Sequence, residues 1–154
     1  MRIYTIGFAG KSAQKFFALL QEAGVEKVID VRRSNNTLYS GFTRARDLPY
    51  FLKRLTGIAY VYEPDFAPSK ELLREYQGRL KHKKKDAKAW PEYTRAFHAE
   101  IKGRPIVDLF RTHAADAGTV CFLCTEVTAD CCHRRLLAEY VREHLDRGIE
   151  IHHL

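Results

Sequence analysis

No apolar run in the chain approaches the roughly 18 residues a membrane helix needs, which argues against a spanning segment and against a membrane partner. The start, "MRIYTIGFAG", has no charged opening followed by an apolar stretch and a small-residue cleavage site. The expected location is therefore cytoplasmic. No internal repeat and no linker-like boundary interrupts the 154 residues, so the expected organisation is a single domain over 1–154 with one core. Cysteine is also scarce: the four present all fall between Thr119 and Val141. In a cytoplasmic chain of this size they do not read as a disulfide framework, and the neighbours Cys131 and Cys132 are poorly placed to bridge each other.

Acidic residues are the minority charge, 19 against 26 basic, for a net +7. The excess is local. "RLKHKKKDAK", Arg79 to Lys88, carries +5 of it, so the remainder is nearly balanced. Such a tract reads first as a solvated loop and second as a contact for phosphates.

What is present is an alternation of strands and helices. "RIYTIGF" reads as a buried strand ending at Gly7. In "SAQKFFALLQEAG", Ser12 caps a helix whose apolar face is Phe16, Phe17, Leu19 and Leu20, and Gly24 ends it. "VEKVIDVRR" is the next strand, completing the strand–helix–strand unit of about 30 residues that a right-handed parallel crossover requires. A long polar loop, "SNNTLYSGFTRAR", leads to a short helix in "DLPYFLKRLTG", with Asp47 as its candidate cap. "IAYVYE" is a third strand and "SKELLREYQGRL" a helix. Trp90, Tyr93, Phe97 and Ile101 recur at helical spacing and read as a stripe facing the core. After a helix in "IVDLFRTHAADAG" come the strand "TVCFLC", a long helix over "CHRRLLAEYVREHLDRG" and a last strand, "IEIHHL". The expected fold class is α/β: one three-layer domain, a mostly parallel sheet of about five strands, helices on both faces.

Ligands of open parallel sheets sit beyond the carboxyl ends of the strands. Three polar groups fall there: Gly7; Asp30, Arg32 and Arg33; and Cys124, Thr125 and Glu126. A helix beginning near Asp130 would bring Cys132, His133 and Arg134 to the same edge. A helix start favours anions and thiolates, and arginines add oxyanion donors. In this reading Arg32, His133, Arg134 and Gly7 hold an anion. Cys132, with a lowered pKa, is the nucleophile, with Cys124 beside it, and Glu126 acts as acid or base if its carboxyl is desolvated. Taken singly, each has an ordinary explanation: Asp30 and Arg32 pairing at a strand end, Glu126 accepting donors of its own loop, His133 packing, Cys132 buried and inert.

The Cys-x-x-Cys spacing of Cys121 and Cys124 matches a zinc knuckle. Side chains three apart on a strand point to opposite faces, so these two cannot share one ion unless the strand breaks. A mixed site from Cys124, Cys132 and His133 stays open. A thiol-phosphatase loop is excluded. It wants an arginine six residues after its cysteine, where Cys124 has Asp130 and Cys132 has Ala138, and Glu126 would repel a phosphate held there.

The ordered segments "YTIGFAGKS", "VIDVRR", "SGFT", "GIAYVYEPDFAPSKELLREY", "CTE" and "CCHRRLLAEYV" make the chain similar to the domain of unknown function 488 family over essentially its full length. Cys124 and Glu126 paired with Cys132, His133 and Arg134 carry the most specific part; Asp30, Val31, Arg32 and Gly7 match its strand-end motifs. The resemblance implies a compact α/β domain with these motifs grouped in space. The "KHKKKD" tract is not part of it. The leading expectation is an enzyme acting on a small anionic molecule, phosphorylated or nucleotide-like. The alternatives are a nucleic-acid-binding module using Lys81, Lys83, Lys84, Lys85, Arg44 and Arg46, and a domain binding zinc or another metal. No cofactor is assigned.

Overall fold

β4 (Thr119–Cys124) is buried at every position, which its unbroken apolar run requires of a central strand. In the computed structural model, which describes residues 1–37, 40–82 and 86–154, it lies between β1 (Arg2–Gly7) and β2 (Lys27–Asp30). β3 (Ala59–Tyr62) flanks β2 and β5 (Glu150–His153) flanks β1, giving the order β3-β2-β4-β1-β5. All four pairings are parallel. The register places Gly7 opposite Cys124, and Asp30 opposite Leu123, so these strand ends share one edge.

Alternation along β4 splits the interior in two. Val120, Phe122 and Cys124 face one core; Cys121 and Leu123 face the other. The second core is covered by α1 (Ala13–Glu22) and by α2 (Leu48–Phe51), which continues as a widened π-type turn over Leu52–Thr56. Phe16, Leu20, Leu48 and Leu52 fill it. The first core is covered by α4 (Ala89–Lys102), α5 (Ile106–Ala114) and α6 (His133–His144), through Phe97, Phe110 and Leu137. α3 (Lys70–His82) packs on α4, where Tyr76 meets Tyr93 with ring centroids 4.6 Å apart. This is the three-layer α/β arrangement expected from the alternating elements.

Local signals act largely as read. Ser12 Oγ accepts from the Lys15 amide at 3.2 Å and caps α1; Gly24, at φ +64°, supplies the left-handed turn that ends it. The stripe on α4 faces inward, with Tyr93, Phe97 and Ile101 buried and Trp90 partly covered. Two expectations are corrected. Asp47 makes no side-chain cap; its carboxylate pairs with Arg46 instead, at 2.9 Å. The last helix opens at His133 rather than near Asp130, because 125–132 is used up crossing the end of the sheet.

That loop explains Gly7. A Cβ on it would lie 1.6 Å from the Glu126 carbonyl oxygen, so only glycine lets the loop pass over β1. Among the described residues, no helix is long and apolar enough to cross a membrane.

Candidate functional site

The carboxyl edge carries a cleft of about 460 Å³, bounded by the ends of β2 and β4, the start of α6, and α3. Arg32, Cys124, Cys132 and His133 line it, together with Tyr76 and Gln77 of α3.

Arg32 follows β2 and is 2% exposed. Its Nε and Nη2 donate to the two carboxylate oxygens of Asp30 at 2.8 and 2.6 Å, and Nη2 also reaches the Thr43 carbonyl at 2.9 Å. Asp30 is itself fully buried and accepts from the Tyr60 hydroxyl at 2.7 Å. The ordinary strand-end pairing is therefore real. It leaves one nitrogen over: among the described residues, Arg32 Nη1 is buried with no hydrogen-bond partner. A buried donor without an acceptor costs about 1–3 kcal/mol, and the residue that carries it lines the cleft.

Cys124 ends β4, and Cys132 precedes the first turn of α6. The two thiols and the His133 imidazole form a buried group whose ligand atoms all lie within 4.8 Å of one another. His133 Nε2 sits 2.8 Å from the Val31 carbonyl oxygen. A carbonyl only accepts, so Nε2 carries the proton and Nδ1 presents its lone pair. Nδ1 faces Cys124 Sγ at 3.9 Å. Cys121 lies in the other core, as strand alternation requires, and burial pushes its thiol pKa up.

The expectation that Cys132 is the low-pKa thiol is reversed. The hydrogen bond from Cys132 lowers the Cys124 pKa, helped by the Thr125 and Glu126 amides and the Arg134 charge, against burial. The same hydrogen bond, with burial, raises Cys132. Of the two, Cys124 is therefore the thiol that gives up its proton more readily. The reason is geometric: Cys124 lies where the donors converge, and Cys132 is one of those donors.

Arg134 and Gly7 do not do what the sequence suggested. Arg134 is fully buried; its Nη1 donates to the Glu126 carbonyl at 2.8 Å, and its Nε contacts Thr5 Oγ1 at 3.4 Å. Its guanidinium is spent holding the 125–126 loop. Gly7 makes room beneath that same carbonyl. His133 has both ring nitrogens engaged, so it is not a free anion donor. Glu126 stays exposed, so its carboxyl lacks the desolvation its acid–base role called for; its backbone does the work.

Lys81 is exposed at the end of α3. Lys83, Lys84 and Lys85 lie outside the described residues. Arg46 is exposed and paired with Asp47, while Arg44 is half-buried with its Nε unpartnered.

The sequence reading missed Cys131, Tyr76 and Tyr93. Cys131 is exposed and lines the cleft together with Tyr76. Its signal was the Cys-Cys pair itself, since one neighbour turning inward sends the other outward. Tyr76 had none beyond its helix.

No curated protein and no solved structure was found to match. A family model described as the domain of unknown function DUF488 matches residues 12–141. That span covers the strand-end Asp-Val-Arg, the cysteines and the start of α6, and leaves out β1 and β5, including Gly7. The chain belongs to the DUF488 family.

Proposed function

We propose that the protein is an enzyme acting on a small anionic molecule, phosphorylated or nucleotide-like, bound in the cleft at the carboxyl edge of the sheet. One observation carries the reading: Arg32, whose Nη1 is buried without an acceptor among the described residues, lines the same cleft as the Cys124, Cys132 and His133 group. An oxyanion there would satisfy the open donor, and charge-assisted bonds to arginine are among the stronger ones available. Desolvation by the cleft walls would strengthen the contact further.

The roles follow from position. Arg32 would hold the anion, with its other donors fixing the guanidinium plane against Asp30 and Thr43. The thiol and imidazole group would provide the reactive centre. Tyr76 and Gln77 would complete the lining of the cleft. About 460 Å³ is within the range of small-molecule pockets.

The test is a panel of phosphomonoesters, nucleotides, sulfate and inorganic phosphate, read by thermal shift for binding and by phosphorus NMR for turnover. Conversion of a panel member that disappears in Cys124→Ser would support the reading. No anion-dependent shift and no turnover across the panel would remove it.

A further inference from the structure

We infer that Cys124, Cys132 and His133 form a binding site for a divalent transition-metal ion, zinc by the chemistry of the donors. The inference shares the cleft of the proposed function but stands on its own observations.

The first is the donor set. Two thiols and one imidazole nitrogen, from the end of β4 and the start of α6, have ligand atoms all within 4.8 Å of one another. Sulfur and imidazole nitrogen are the donors zinc prefers, and three of them with one open position is the pattern of a zinc site that takes part in chemistry. Cys121 is excluded, since it faces the opposite core, and Cys131 is exposed and not gathered with the three.

The second is the orientation of the imidazole. The Val31 carbonyl holds Nε2–H at 2.8 Å, which leaves the Nδ1 lone pair directed into the thiol pair. Metal-ligating histidines are fixed in this way through their other nitrogen. The carbonyl belongs to the residue after β2, so the sheet itself sets the ring.

The third is charge. Arg134 is fully buried, and among the described residues no carboxylate pairs with it. A dication with two thiolates is neutral. An anionic fourth ligand, hydroxide or a substrate oxygen, would add one negative charge, and the buried positive charge of Arg134 offsets it. Both sulfurs bind as thiolates, so the thiol protons they carry leave to solvent on binding. All three donors line the cleft that Arg32 also lines, so an anion bound there would be within the same hollow as the ion. The ion would act as a Lewis acid on the oxygen of the bound anion.

The experiment uses the full chain, expressed in zinc-supplemented medium and purified under reducing conditions without chelators. Elemental analysis is expected to find one equivalent of zinc. Cobalt(II) added to the reduced, metal-stripped protein is expected to give a thiolate-to-cobalt charge-transfer band. That band should weaken in Cys124→Ser and in Cys132→Ser and persist in Cys131→Ser. Zinc-edge absorption on the unaltered protein should show two sulfur neighbours and at least one nitrogen, and needs no variant to fold. Absence of both stoichiometric zinc and the cobalt band would overturn the site, as would an undiminished band in the Cys124→Ser, Cys132→Ser double variant. Turnover of an anion by metal-free protein would overturn the metal's role while leaving the cleft reading intact. One equivalent of zinc with no anion binding would support the site and remove the enzyme reading.

Discussion

His133 Nε2 donates to the carbonyl oxygen of Val31 across 2.8 Å, joining the first residue of α6 to the end of β2, 102 residues earlier. This bond sets the tautomer of the ring and brings the two strand-end motifs to one cleft.

The neutral His133 ring should therefore carry its proton on Nε2, with Nδ1 bare. Long-range proton–nitrogen NMR of the imidazole checks this. A proton on Nδ1 at neutral pH would contradict the bond to Val31.

Asp30 and Arg32 are a buried ion pair, 0% and 2% exposed. Asp30→Asn removes the charge that offsets the guanidinium. Breaking one side of such a pair costs about 3–5 kcal/mol. Guanidinium denaturation should show a loss of that order, larger than for exposed Asp108→Asn, whose pair with Arg111 is at the surface.

Gly7→Ala places a methyl group 1.6 Å from the Glu126 carbonyl oxygen and 3.1 Å from Arg134 Nη1. Both neighbours are held by the hydrogen bond between them, so the loop must lift. The expected cost is at least the ~1–3 kcal/mol of an overpacked interior, with loss of cobalt binding or anion binding before loss of the fold. Parallel thermal melts and ligand titrations of the variant separate the two effects.

Burial raises the Tyr60 hydroxyl above its ordinary value of 10.0, and the negative charge of Asp30 adds to the shift. The unfolded chain then releases this proton first. The stability linked to it is full below about pH 10 and falls as the pH rises past that value. Urea midpoints measured from pH 8 upward should decline for the unaltered protein, and less steeply for Tyr60→Phe, which has no proton to lose there.

Iodoacetamide should label Cys131 first, because it is the one exposed cysteine among the four. Cys121, sealed in the α1 side of the sheet, should react only after unfolding. Peptide mass spectrometry over a time course resolves the order.

Much of the architecture was legible because it is local. A short unbroken apolar run between turn signals suits a strand buried on both faces, and β4 is one. Ser12 and Gly24 bound α1 where their chemistry puts them. The opposite facing of Cys121 and Cys124 followed from the two-residue period of a strand. The edge shared by Gly7, Asp30 and Cys124 followed once the strands were parallel neighbours. The outward Cys131, the inward Arg134 and the solvated Glu126 carboxyl were not legible. All three depend on the path of residues 125–132 across β1, and that path has no period to read.

The residues alone determined the α/β alternation, the faces of each strand and the edge where chemistry collects, because these follow from backbone geometry within a few residues. Only the folded chain decided which thiol gives up its proton more readily, and that Arg32 keeps a donor with no acceptor among the described residues. Those properties are set by distances and burial among groups from β2, β4 and α6, and Coulomb and desolvation energies do not exist until the segments meet.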